Sequence, residues 1–78
     1  MVYCKLVSID GNIAKYIFGG SYKDLTGVFF VNKDDLSFNL TKMPQNSYVL
    51  VRHLQSMLSN YIDEIKKGYF PDKMSREI

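Results

Sequence analysis

Apolar residues in the first half of the chain recur with the spacing of β-strands. Four segments show the pattern, at residues 2–9, 13–18, 27–33 and 36–41. Turn-forming residues separate them, with Asp10-Gly11-Asn12 in the first gap between segments and Asp34-Asp35 in the third. The pattern predicts a four-stranded antiparallel meander.

The first hairpin has two possible registers. A three-residue loop at 10–12 keeps every charged side chain off one face, whereas a two-residue turn mixes Leu6 with Lys15 on one side. We therefore predict the three-residue loop, and a two-residue turn at 34–35 in the second hairpin. These registers assign one face of the sheet to Cys4, Leu6, Tyr16, Phe18, Phe29, Val31, Leu36, Phe38 and Leu40.

Residues 47–67 change to a helical period. The apolar stripe consists of Leu50, Val51, Leu54, Met57, Leu58, Tyr61, Ile62 and Ile65. Asn46 or Ser47 suits the N-cap, Gly68 suits the left-handed position after the last turn, and Pro71 prevents continuation. The pattern predicts one long helix that packs on the sheet.

The predicted fold is α+β, a ββββα arrangement in which one C-terminal helix covers a four-stranded meander. The 78 residues form a single domain with an ordered core at 2–71. Tyr69, Phe70 and Pro71 are expected to fold back on the sheet edge. Residues 72–78 carry few apolar groups, so we expect them to be frayed.

The other face of the predicted sheet is apolar, and no second helix remains to cover it. Its members are Tyr3, Val7, Ile9, Ile13, Ile17, Val28 and Phe30. A solvated antiparallel face is mostly polar, and an exposed apolar patch marks an association surface. We predict that the protein acts through protein contacts at this face, as a homodimer or with another protein. A register error or a bulge that turns some of these residues inward is the open alternative.

A second hypothesis is a small regulator that binds nucleic acid on the same face. Phe30 and Tyr3 can stack on bases, with Lys5 and Lys15 beside them. Against this, the lysines are spread along the chain between aspartates, and the net charge is only +2. Protein contact is therefore the preferred hypothesis, and nucleic-acid binding is the alternative.

The sequence predicts no catalytic, cofactor or metal site. His53 is the only histidine and Cys4 the only cysteine, which excludes an internal disulfide and argues against a zinc site. We expect His53 to pack at the rim of the helix and Cys4 to be an inert core thiol. The aspartates at 34–35 are interpreted as solvated turn residues. The prediction is a protein that is not an enzyme and needs no cofactor.

The chain also lacks the features of a membrane or exported protein. No apolar run approaches the ~20 residues that a membrane span needs. Lys5 and Asp10 interrupt the apolar core that a signal peptide would require. With a single cysteine, these features predict a cytoplasmic protein.

Three runs that cover most of the chain form a recognisable series. They are SIDGNIAKYIFGG, TGVFFVNKDD, and a segment that carries Tyr48, His53, Tyr61 and Ile62 and ends in KGYFP. The series resembles a group of small uncharacterised bacterial proteins in which a strand meander is followed by one helix ending in Phe-Pro. The resemblance implies this fold and a bacterial source, and no activity. The residues at 72–75 depart from the acidic, glycine-containing ending of that group, so the resemblance implies no role for the tail.

Overall fold

The computed structural model describes residues 1–45 and 51–76. Five strands form one antiparallel sheet, namely β1 Val2–Asp10, β2 Ile13–Gly19, β3 Gly27–Asn32, β4 Phe38–Lys42 and β5 Lys73–Arg76. Two helices, α1 Val51–Ser59 and α2 Ile62–Lys66, lie between β4 and β5 in the chain. The strand order is β4-β3-β2-β1-β5, so the last strand pairs with the first. The predicted ββββα fold is therefore wrong in its number of strands and in its single long helix.

A β-bulge sets the register of the first hairpin. The turn has two residues, so that Asp10 pairs with Ile13, and the predicted three-residue loop is wrong. The pairing then shifts at Val7, and Leu6 lies opposite Tyr16. Because a bulge adds one residue to its strand, it restores the predicted faces over the first half of β1.

The second hairpin has the register that the alternation predicted. Phe29 lies opposite Leu40, and Val31 lies opposite Phe38. The connection is longer than the predicted two residues, because Leu36 belongs to it and has a φ of 60°. A left-handed conformation costs a leucine about 1–2 kcal/mol. Packing of Leu36 against the core offsets this strain.

Two short helices replace the predicted long one. α1 ends at Ser59, whose hydroxyl donates to the Ser56 carbonyl at 2.7 Å. The N–H groups of Asn60 and Tyr61 bond to carbonyls three residues earlier, both at 3.0 Å. These tighter bonds and the competing serine hydroxyl end the helix before α2 begins at Ile62. The predicted N-cap at 46–47 and the first stripe residue, at 50, lie outside the described residues.

Gly68 ends α2 as predicted. It has a φ of 91°, and its N–H bonds to the Ile65 carbonyl at 2.9 Å. The Tyr69 N–H bonds to the Glu64 carbonyl at 2.9 Å, which completes a Schellman motif. The motif turns the chain back, so that Phe70 is buried while Tyr69 stays 59% exposed.

The segment that was expected to be frayed contains β5. Lys73–Arg76 pairs with β1, and Met74 lies opposite Cys4 in the core. The Tyr61 hydroxyl accepts from the Ser75 N–H at 3.3 Å and donates to the Ser75 carbonyl at 3.4 Å. Backbone pairing requires no apolar pattern, so the composition of this segment did not reveal the strand.

The core lies between the two helices and one face of the sheet. Its buried members are Val2, Cys4, Ala14, Tyr16, Phe18, Phe29, Val31, Leu54, Met57, Leu58, Ile65, Phe70 and Met74. Four more residues of the predicted core face are half-buried around it, namely Leu6, Leu36, Phe38 and Leu40. Within the described part of the chain, both helices thus cover the same side of the sheet.

Candidate functional site

We call the side of the sheet opposite the core the outer face. Residues directly opposite each other on paired strands point to the same side, so the register arranges the outer face in rows that cross the strands. The first row is Ser75, Tyr3 and Gly19; the second is Lys73, Lys5, Ile17, Val28 and Lys42; the third is Ser8, Lys15, Phe30 and Asn39; the fourth is Asp10, Ile13, Asn32 and Ser37.

The second row, which we call the lysine row, concentrates positive charge. Lys5 lies directly opposite Lys73, and Lys42 stands at the other end of the row. Lys15 follows in the third row, and among the described residues of the four rows Asp10 is the only acid. Like charges placed opposite each other on a sheet repel. An anionic ligand would relieve that repulsion, so the row suits such a ligand.

Two tyrosines lie together at the first-row end of the outer face. The ring centroids of Tyr3 and Tyr22 are 4.3 Å apart, with their planes at 43°. The Lys73 ammonium lies 5.8 Å from the Tyr22 ring centroid, within the range of a cation–π interaction. Tyr22 is 50% exposed. This end therefore presents aromatic surface directly beside the lysine row.

A groove of about 380 Å³ lies at the opposite end of the outer face, beside the turns. The third and fourth rows form it. Phe30 and Ile13 give the groove apolar surface, and Lys15, Asp10 and Asn39 give it polar groups of three kinds. An apolar concavity of this size with a few polar groups has the composition of a small-ligand site.

Hydrogen bonds between two turns hold the groove end together. The Lys33 N–H donates to the Asn12 carbonyl at 2.9 Å, and the Asn12 amide donates to the Asp34 carboxylate. The hydroxyl and N–H of Ser37 donate to Asp35 at 2.7 and 2.9 Å. These bonds, the hydroxyl first, hold the pKa of Asp35 below its usual value. The paired aspartates are exposed, as the sequence suggested, and they also organise the turns.

The structure distributes the seven predicted interaction residues unevenly. The outer face includes Tyr3, Ile13, Ile17, Val28 and Phe30. Ile9 instead pairs with Ala14 and so lies on the core-facing side, although it is 53% exposed. Val7 occupies the bulge and is 49% exposed. The outer face is therefore more polar than the sequence predicted.

Sequence reasoning missed three residues of this surface. Lys73 was missed because β5 was not predicted. A register shift beside Val28 places Lys42 opposite that residue, and no periodic pattern shows such a shift. Tyr22 lies in the connection between β2 and β3, where no alternation assigns a face. The outward positions of Ser37 and Asn39 were visible in the alternation of the fourth predicted strand.

The thiol and the buried phenol lie in the core rather than on the outer face. Cys4 is 0% exposed, and its Sγ is 3.4 Å from the Met57 Sδ. Burial raises the pKa of the Cys4 thiol. Burial, and then the charges of neighbouring groups, raise the pKa of Tyr16, whose hydroxyl donates to the Pro71 carbonyl. Cys4 and Tyr16 therefore stay protonated at neutral pH.

Other chemical groups are not gathered into a metal site. His53 is half-buried on α1. Within residues 1–45 and 51–76, no group of three or more histidine, cysteine, aspartate or glutamate side chains is placed to hold a metal ion. The outer face is therefore the candidate site.

Comparison of the chain with protein-family models, with curated proteins and with solved structures finds no match. The resemblance to small bacterial proteins remains a prediction, and its single helix is replaced by two in the structure. None of the helices in the described ranges has the length and apolar character to cross a membrane. The functional argument therefore rests on the geometry of the outer face.

Proposed function

We propose that the protein is a non-catalytic binding module whose outer face binds single-stranded nucleic acid. One observation carries the proposal, namely the lysine row with exposed rings on both sides of it. Lys5, Lys73 and Lys42 share the row, with Tyr22 beyond one side and Phe30 beyond the other. Proteins that bind single strands combine basic side chains along the phosphates with aromatic rings on which the bases stack.

The distribution of charge supports an anionic partner at this face. The net charge of +2 conceals a separation between the two sides of the sheet. Asp63 and Glu64 belong to α2, on the core side, whereas the outer rows hold four lysines against Asp10. Lysines that are spread evenly along the sequence thus become a cluster in space. This clustering removes the main sequence argument against a nucleic-acid partner.

The lysine row also weighs against the homodimer that the sequence predicted. A two-fold contact brings the same patch of both copies together, so each lysine row would face its equivalent. Such like-charge contacts oppose association. Contact with another protein is the second candidate. It is favoured by the exposed apolar side chains of the first hairpin, where Val7, Ile9 and Ile13 are 49%, 53% and 44% exposed.

Fluorescence anisotropy with labelled single-stranded RNA and DNA tests the proposal. We expect binding that weakens steeply with added salt. The double variant Lys5→Ala/Lys73→Ala should weaken it and reduce the slope of log K against log salt by about 1.4. The matched control Lys66→Ala/Lys67→Ala removes the same charge at the end of α2 and should bind like the unmodified protein.

A folded protein that binds no single strand at low salt would exclude the nucleic-acid proposal. Light scattering at micromolar concentration then decides between the protein-contact alternatives. A dimer that Ile13→Ser dissociates would support self-association, and a monomer would leave contact with another protein.

We also propose a cytoplasmic location and, following the resemblance, a bacterial source. The buried free thiol of Cys4 supports a reducing compartment. Fractionation of cells that carry the natural gene tests the location, and recovery from a membrane or extracellular fraction would contradict it.

A further inference from the structure

We infer that the groove beside the turns binds a single nucleobase stacked on Phe30, and that it favours a base with an exocyclic amino group over uracil. The inference rests on the proposed function, because it concerns one subsite of the same outer face. Its basis is the order of side chains in the third and fourth rows.

Phe30 lies between two different polar groups. Lys15 is its direct neighbour on β2, and Asn39 is its direct neighbour on β4. Directly opposite residues have Cβ atoms about 4.5–5.5 Å apart, so one nucleotide can reach all three side chains. The ring binds the face of the base, and the Lys15 ammonium binds the phosphate. The groove volume of about 380 Å³ fits one base rather than a duplex.

The groove also distinguishes the two ends of the nucleotide by charge. Asp10 lines it in the fourth row, next to Ile13. A carboxylate accepts hydrogen bonds and repels phosphate, so the base edge rather than the backbone lies toward Asp10. The amino groups of cytosine and adenine donate to such an acceptor, whereas the corresponding position of uracil is a carbonyl oxygen. The carboxylate therefore selects against uracil, and Asn39 can donate or accept at the same edge.

The rest of the outer face contacts neighbouring nucleotides without discrimination. Adjacent rows are about 6.6 Å apart along the strands, so Tyr3 in the first row lies about 13 Å from Phe30 in the third. The lysine row crosses this interval. A strand of a few nucleotides thus extends from the groove to the tyrosines, and only the groove end senses base identity.

Oligocytidine and oligouridine of about eight nucleotides form a matched pair for the test, since that length is within the usual site size. Their bases differ at the group that faces Asp10. Anisotropy titrations at low salt should show oligocytidine bound about fivefold or more tighter, as expected for one well-placed base contact.

Two variants test the separate roles of ring and carboxylate. Phe30→Leu keeps the apolar volume and should weaken both oligomers about tenfold, since it removes one stacked base. Asp10→Asn should raise affinity for oligouridine and bring the two affinities to within about twofold. Tyr69→Leu and Asp63→Asn are the matched controls on the core side and should change neither the affinities nor their ratio. Circular dichroism confirms that each variant is folded.

The outcomes separate the two proposals. No binding of either oligomer overturns the proposed function and the base subsite together. Binding that depends on Lys5 and Lys73, but is unchanged in Phe30→Leu and equal for the two oligomers, supports the binding face and overturns the subsite alone. Tighter binding of oligouridine also overturns the assignment of Asp10.

Discussion

The hydroxyl of Tyr16, in the central strand β2, donates a 2.6 Å hydrogen bond to the carbonyl of Pro71. The next carbonyl, that of Asp72, accepts from the Leu6 N–H at 2.8 Å. These two bonds fix the chain where it returns from the helices to the sheet. Because β5 begins at the following residue, they also set the position of Lys73 on the outer face.

Removal of the Tyr16 hydroxyl tests the importance of this return. Tyr16→Phe leaves the buried Pro71 carbonyl without that donor, and we expect a loss of about 1–3 kcal/mol in the free energy of unfolding. Urea denaturation measures it. Tyr61→Phe is the matched control, because its hydroxyl makes longer bonds, of 3.3 and 3.4 Å, at a half-buried site. Equal losses in both variants would contradict a special role for the Tyr16 bond.

The residues after Gly68 offer a neighbouring pair with opposite environments. Phe70 is 6% exposed and belongs to the core, whereas Tyr69 is 59% exposed. We expect Phe70→Ala to lower the free energy of unfolding by about 3–5 kcal/mol, from lost burial and a cavity. Tyr69→Ala should change it by less than about 0.5 kcal/mol. An unchanged melting temperature in Phe70→Ala would show that the ring is free in solution.

The fifth strand can be tested against the frayed tail that the sequence predicted. Met74 is 1% exposed, so Met74→Ala should cost about 2–5 kcal/mol in urea denaturation. Lys73→Ala, one residue away and on the outer face, should cost nothing, because it removes a like charge opposite Lys5. If both variants match the parent protein, then β5 does not form in solution.

The buried thiol predicts a pH dependence. Because burial raises the pKa of Cys4 in the folded state, its contribution to stability is complete below the ordinary thiol pKa, about 8.5, and is lost as the pH rises above it. Between pH 7 and 9.5 the unfolded chain gains about 1 kcal/mol from ionisation that the folded chain does not. Urea denaturation of the protein and of Cys4→Ala at both pH values isolates this difference.

Thiol labelling gives an independent check on Cys4. In the native protein the thiol should react with a disulfide reagent only as fast as the structure opens. In urea it should react at the rate of a free cysteine. Rapid labelling of the native protein would contradict the burial of Cys4.

The strand predictions succeeded where side-chain alternation is a direct record of burial. The facing of β3 and β4 followed from Phe29, Val31, Phe38 and Leu40, since a one-residue slip would expose all of them. The first hairpin shows the limit of this argument. A three-residue loop and a two-residue turn with a bulge at Val7 give the same faces for the first half of β1. Alternation alone could not separate them, although they place Ile9 on different sides.

The helix prediction failed for a related reason. Ser59 and Asn60 fall on the polar side of the periodic pattern, and neither glycine nor proline interrupts it. The break depends on a serine hydroxyl that bonds back to the helix and on the Tyr61 hydroxyl that reaches β5. Both compete with helix continuation only when the sheet is present to receive the turned chain.

The sequence by itself determined the local features of this protein. They include the facing of the second hairpin, the core side of β2 and the cap at Gly68, because each depends on residues that are near in the chain or on a strict period. Only the tertiary structure decided the lysine row, since Lys5, Lys42 and Lys73 come from distant segments. Backbone hydrogen bonds bring those segments together, and such bonds form whatever the side chains are. The sequence pattern therefore carried no sign of the surface on which the proposed function depends.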